Sequence, residues 1–143
     1  MTRTPFSSIP VTVGTLFLAA LLLSISSASG QSNEPAMKPR VIHLDPAAKD
    51  SFEIFTGPPG TVSFRSGYMV LAPKRSVGKH STKGNEEALI VLSGNAELQI
   101  TGGSTYHLGP YSVGYCPPQT EHNVVNVGLD TLRYIWIAAR IPR

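Results

Sequence analysis

Gly78-Lys-His80-Ser-Thr82-Lys-Gly84-Asn-Glu86-Glu87-Ala-Leu89-Ile-Val91-Leu-Ser-Gly94 begins as a polar loop rich in ligand-type side chains. It then becomes an apolar strand that stops at a glycine. In an extended chain alternate residues face the same way, so His80 and Thr82 share one side. By the same rule Glu87 lies level with Leu89 and Val91, while Glu86 faces the other way, and only one of these two carboxylates can point inward. A second polar cluster, Pro117-Pro-Gln-Thr-Glu-His122-Asn, lies about forty residues further on. Two short strands with a shared pocket between them would bring His80, Glu87 and His122 together.

Outward from this stretch the chain reads as a succession of short β runs. Arg40–Leu44 alternates enough for a first strand, ended by Pro46, and Lys49–Phe55 makes a second. Gly57-Pro-Pro-Gly60 is a turn, because proline presets φ and glycine accepts positive values. Thr61–Arg65 and Tyr68–Ala72 read as two strands separated by Ser66-Gly67. Glu87–Ser93 is the most strongly β segment, with Gly94-Asn95 as a tight hairpin and Ala96–Ile100 as the returning strand. Thr105–Leu108, Ser112–Cys116, His122–Val127 and Leu132–Ile141 complete the series. Residues 31–143 carry no convincing helical period with caps. Short strands with Gly, Pro and Asn turns every eight to twelve residues predict an all-β sandwich or barrel. Both faces of the last strand are apolar: Leu132, Tyr134 and Trp136 on one side, Ile135 and Ile137 on the other. Such a strand is buried twice, against a core and against a second subunit, so a homodimer is expected.

The chain of 143 residues has room for one domain. Residues 1–30 read as a cleavable export signal. Arg3 supplies a positive start, Leu16–Leu23 an apolar run, and Ala28-Ser29-Gly30 a small-residue cleavage site. The run is too short to span a bilayer, which takes about 20 apolar residues. Residues 31–39 form a polar linker and residues 40–143 the folded domain. The expected location is secreted or periplasmic, with no membrane span after signal removal. Loss of Arg3 leaves eleven basic against nine acidic side chains, a net charge of +2, too mild to imply nucleic acid. Lys74, Arg75, Lys79 and Lys83 gather near the polar loop, either to steer an anionic ligand or as a solvated surface. A single cysteine, Cys116, excludes an internal disulfide and reads as a small buried hydrophobe.

The paired motifs resemble those of the cupin superfamily. The first family motif runs Gly, five residues, His-x-His, three or four residues, Glu, six residues, Gly. His80-Ser-Thr82, Glu87 and Gly94 match it from the histidine onward, and the six-residue count to Gly94 selects Glu87 over Glu86. The second motif is matched by Gly109, Pro117-Pro118, His122 and Asn126, with a longer gap before the prolines. The likeness covers roughly residues 60–140, and one copy of each motif implies a single-domain cupin, a jelly-roll β-barrel or double-sheet sandwich.

The resemblance implies a divalent metal held by His80, Glu87 and His122, with Thr82 where the family carries a second histidine. Two imidazoles and a carboxylate suit Fe, and the same set accepts Mn, Ni, Co, Cu or Zn. Thr82 either orients a metal-bound water or marks a weakened site. A cupin of this kind is expected to bind a small organic molecule and to act as an oxygen-dependent dioxygenase, with Glu87 as a base. The alternatives are a non-catalytic sugar- or phenolic-binding module and a metal-assisted isomerase or lyase. His43 and His107 read as surface or packing histidines, and Tyr68, Tyr115, Tyr134 and Trp136 as core fillers or pocket lining, core being preferred.

Overall fold

The computed structural model describes residues 37–142. The export signal and most of the linker expected over residues 1–39 lie outside the described residues. Among the described residues there are nine strands and no helix: β1 Phe52–Phe55, β2 Phe64–Leu71, β3 His80–Ser81, β4 Asn85–Ser93, β5 Ala96–Ile100, β6 Thr105–Leu108, β7 Val113–Cys116, β8 Glu121–Asn126 and β9 Leu132–Arg140. They form two antiparallel sheets, one ordered β1-β2-β9-β4-β7 and the other β3-β8-β5-β6. This is the all-β double-sheet architecture that the turn spacing predicts.

Alternation along the strands builds the core. Leu89 and Val91 of β4, Leu132 and Tyr134 of β9, Leu98 of β5 and Val124 of β8 are almost wholly buried in one apolar cluster. Stacked sheets sit about 10 Å apart, so side chains of this size fill the gap between them. Asn126 is also fully buried there. Its amide donates to Leu71 O at 2.9 Å and Asp130 O at 2.8 Å, and its carbonyl accepts from the Gly128 amide at 2.9 Å. Both amide protons and the carbonyl oxygen are partnered by backbone, which is what makes a buried asparagine tolerable.

Three strand expectations need correction. Residues 40–44 make no ladder and are largely exposed. The segment is held through a side chain instead: the Arg40 guanidinium lies 4.8 Å above the Phe55 ring and donates to Gly60 O at 3.2 Å. Ser66-Gly67 is not a turn. It lies inside one continuous strand, β2, and Gly67 registers with Trp136 of β9. A Cβ at Gly67 would meet Trp136 Nε1 at 2.5 Å, so glycine is there to admit an indole ring. Gly94-Asn95 is not a hairpin either, because β4 and β5 belong to different sheets. Gly94 takes φ +84°, and a Cβ on it would lie 2.7 Å from Leu132 Cα. The chain passes from one sheet to the other where only a glycine fits.

Candidate metal centre

At one end of the gap the two sheets present His80, His122 and Glu87 to one another. His80 and His122 are direct cross-strand partners in the two-residue β3–β8 ladder. Their rings lie 4.3 Å apart, tilted by 56°. Glu87 arrives from the other sheet, on the same face of β4 as Leu89 and Val91. Glu86 faces outward and accepts a hydrogen bond from the Tyr115 hydroxyl at 3.0 Å, so strand alternation chooses Glu87 as the inward acid.

The hydrogen bonds around the histidines settle which nitrogen is free. His80 Nδ1 lies 3.0 Å from Gly78 O, and His122 Nδ1 lies 3.3 Å from Thr120 O. A carbonyl oxygen only accepts, so each Nδ1 carries the proton and each Nε2 keeps its lone pair. Both Nε2 atoms face the same carboxylate oxygen, Glu87 Oε2, from His80 at 4.0 Å and from His122 at 3.8 Å. These separations are too long for hydrogen bonds. His122 Nε2 is consequently a buried lone pair without a partner. The three ligand atoms all lie within 4.8 Å of one another. Backbone carbonyls on the outer nitrogens are the usual way in which ligating imidazoles are oriented.

Burial pushes Glu87 and His122 toward their neutral forms. The Glu87 carboxyl is raised above its ordinary value by desolvation, with His80 opposing. His122 is lowered, first by desolvation, against the Thr120 carbonyl, and further by His80. The side chains of His80, Glu87 and His122 are 44%, 11% and 0% exposed, so the cluster opens to solvent on the His80 side only. An acid and two imidazoles arranged this way, with one orphaned nitrogen, fit a divalent transition ion by number and by ligand type.

A cavity of about 330 Å³ adjoins the cluster, lined by Met69, Val77, Tyr134, Trp136 and Ala138 with His80 and Glu87 themselves. Tyr134 and Trp136, expected as core or pocket lining, do both: Tyr134 belongs to the core cluster, Trp136 packs against it, and each forms cavity wall. Tyr68 is buried and Tyr115 exposed, away from the cavity. Of the walls, the sequence offered Tyr134 and Trp136 but not Met69, Val77 or Ala138. The signal for Ala138 was the inward face of β9, Leu132, Tyr134, Trp136, Ala138, where a small residue follows three large ones and leaves space.

The other candidate residues lie elsewhere or do other work. The Thr82 hydroxyl donates to Pro117 O at 2.9 Å and accepts from the Thr120 amide at 3.0 Å. It clips the loop before β4 to the loop before β8, with its proton and one lone pair both given to backbone. His43 is exposed and His107 stands at 3.7 Å from Glu97 on the outer surface. Cys116 is buried opposite Glu87 in the β4–β7 ladder, its thiol pushed up to about 11 by burial and then by that carboxylate. Of the four gathered cations, Lys74 donates to Val127 O at 3.1 Å, and Lys83 borders a cleft.

Fold and site together define a small double-sheet β domain with a candidate metal centre between its sheets. The family model for the cupin domain matches residues 67–138, half of the chain, and the protein belongs to the cupin superfamily. Solved structures agree on the fold. A cupin family protein with a double-stranded β-helix fold from Methanocaldococcus jannaschii matches with a TM-score of 0.61 at 18% identity, over 73% of this chain and 93% of that one. A cupin 2 conserved barrel domain protein from Salinispora arenicola matches at 0.59 and 24% identity, over 71% and 89%. The Cnp3 cupin domain of Schizosaccharomyces pombe matches at 0.58 and 19% identity, and the match spans 64% of each chain. No curated protein sequence matches the chain.

Proposed function

We propose that this domain holds a divalent transition metal through His80 Nε2, His122 Nε2 and the Glu87 carboxylate, and acts as a dioxygenase on a small organic molecule in the adjoining cavity. The observation that carries the reading is the fully buried His122 Nε2, whose lone pair faces Glu87 with no hydrogen-bond partner. A buried polar atom without a partner costs about 1–3 kcal/mol, a cost that an ion would remove. Three protein ligands leave coordination positions open, and Thr82 adds none because its hydroxyl is committed to Pro117 and Thr120. The bound metal would supply a Lewis-acid and redox centre at which substrate and dioxygen meet. The chain's own part is positional. Met69, Val77 and Trp136 exclude water from the apolar end of the substrate, and Glu87 accepts a proton from the substrate. Both oxygen atoms enter the product, so the reaction draws on no external reductant.

Elemental analysis of purified protein is the first test. About one metal per chain is expected, lost in His80→Ala and His122→Ala and kept in His43→Ala. Equal content in all three variants refutes the site. Oxygen uptake with a panel of phenolic substrates tests the reaction class. Metal without uptake moves the reading to a metal-assisted isomerase or lyase, or to a non-catalytic binding module.

Two further parts of the reading rest on sequence pattern. Residues 1–30 are proposed to direct export to the periplasm or outside the cell, and a mature amino terminus near Gln31 is the expected finding. The outward side of the larger sheet is proposed to bury itself against a second copy of the chain. Ile135 pairs with Ile90, Ile137 with Ala88, Val113 with Ile90 and Tyr115 with Ala88, an apolar patch across three strands. Among the described residues no helix is long and apolar enough to cross a membrane.

A further inference from the structure

We infer that the ligand of this domain is an organic anion, a carboxylate or a phosphate, whose charged end is held between Lys83 and Arg140 while its apolar body lies along Trp136 toward Glu87. A second cleft, of about 440 Å³, shares Trp136 and Ala138 with the first cavity, so the two spaces adjoin along one wall. Their linings differ in character. The first is apolar apart from His80, Glu87 and the Tyr134 hydroxyl. The second carries Arg65, Lys83 and Arg140, and no acidic residue among the described ones lines it.

The strand pattern explains the change. The inward face of β9 continues past Trp136 and Ala138 to Arg140, so one strand presents core, cavity wall and a guanidinium in succession. Arg65 is inward on the neighbouring strand, in register with Ala138, but its charge is taken up by an ion pair with Glu53. Lys83 and Arg140 make no ion pair among the described residues. Nor is Lys83 on a loose loop. Its amide donates to Ser81 Oγ at 3.1 Å, and its carbonyl accepts from the Gln119 amide at 2.9 Å. An arginine fork beside a lysine ammonium matches carboxylate and phosphate oxygens.

Register also sets the length of the ligand. Glu87 pairs with Ala138, and Asn85 with Arg140, two residues further along. At about 3.4 Å per residue this sets the backbone of Arg140 about 7 Å further along the strands than that of Glu87. A benzene ring with a short acidic arm covers that span. This proposal deepens the metal-centre reading and relies on it for the direction in which the ligand lies, not for attachment of the anion.

The test uses phenylacetate, phenyl phosphate and the neutral phenylacetamide, titrated against the fluorescence of Trp136, the chain's one tryptophan. At least one anion is expected to bind about tenfold or more tighter than the amide. The tighter anion names the head group. The preference should fall to near unity in the Lys83→Gln/Arg140→Gln double variant and return in Lys83→Arg/Arg140→Lys. Lys79→Gln, an exposed cation lining neither space, should keep it. Equal binding of anion and amide, no binding of any probe at millimolar concentration, or an undiminished preference in the double variant overturns the proposal. Metal content is measured on the same samples. Anion preference without metal sinks the metal centre and leaves the cleft standing, and metal without preference does the reverse.

Discussion

Replacing Gly67 by alanine tests the packing that shapes the cavity. The new Cβ would sit 2.5 Å from Trp136 Nε1, 2.8 Å from Cε2 and 2.9 Å from Cζ2, all atoms of one rigid ring. Favourable carbon contacts begin at about 3.5 Å, so the indole must retreat by about 1 Å. Overpacking of this kind costs about 1–3 kcal/mol. Alanine returns about 0.4–1 kcal/mol by restricting the unfolded chain, since Gly67 needs no left-handed backbone. The net expectation is a loss of about 1–2 kcal/mol, which for a domain of about 100 residues lowers Tm by roughly 5–15 °C. Thermal unfolding followed by circular dichroism measures the first effect. The emission of Trp136 measures the second, because the displaced ring changes its exposure. Gly84→Ala is the matched control, with no atom within 4 Å of its added carbon, and should leave both signals near wild type. A Gly67→Ala protein with unchanged Tm and unchanged emission would refute the account of β2 as a strand notched for an indole.

Thr82→Val should lower stability by about 1–3 kcal/mol by stranding the Pro117 carbonyl and the Thr120 amide, yet leave metal stoichiometry unchanged; loss of the metal would return Thr82 to the ligand set. Asn126→Ala removes three hydrogen bonds to backbone from a fully buried position and should cost about 2–5 kcal/mol, read by urea denaturation. Glu87→Gln should abolish metal binding and stabilise the metal-free protein at neutral pH. The folded carboxyl titrates above its ordinary value, so as pH rises the unfolded chain ionises first and stability falls; glutamine escapes this loss. The Tm advantage of the variant should therefore grow from pH 4 to pH 7, and a constant difference would contradict the burial of the acid. His122 acts at the other end of the scale. Its depressed value means that the unfolded chain takes up a proton first on acidification, so metal-free wild type should lose stability as pH falls through the ordinary histidine range, and His122→Phe should lose less.

The fold was legible because its information is local. Alternating apolar residues and glycine-proline turns recur at strand spacing, and the order of strands from Asn85 onward follows directly. The misreadings fall where distant partners decide. Ser66-Gly67 looks like a turn until Trp136, on a strand that arrives much later, fills the space over the glycine. Gly94-Asn95 looks like a hairpin because local sequence does not say to which sheet a strand belongs. Residues 40–44 alternate as a strand does, but no partner strand reaches them. In the site, the counts from His80 to Glu87 and on to Gly94 chose the inward acid, and the cross-strand register of His80 with His122 brought the imidazoles together. The fate of Thr82 was invisible, because both of its partners come from the turn before β8, 35 and 38 residues further along the chain. The cationic cleft was hardly legible. Lys83 was one of four gathered basic residues with nothing to set it apart, and Arg140 acquires meaning only when β9 is seen to run past the cavity.

β3 is two residues long and lies at the edge of its sheet. Its backbone ladder alone is a weak fastening, yet it carries one of the three convergent side chains, and Glu87 belongs to the opposite layer. An ion seated among them would rivet the two layers together at this edge strand. Demetallation would then be felt as faster amide exchange at His80 and Ser81, with the β5–β6 hairpin at the far edge undisturbed.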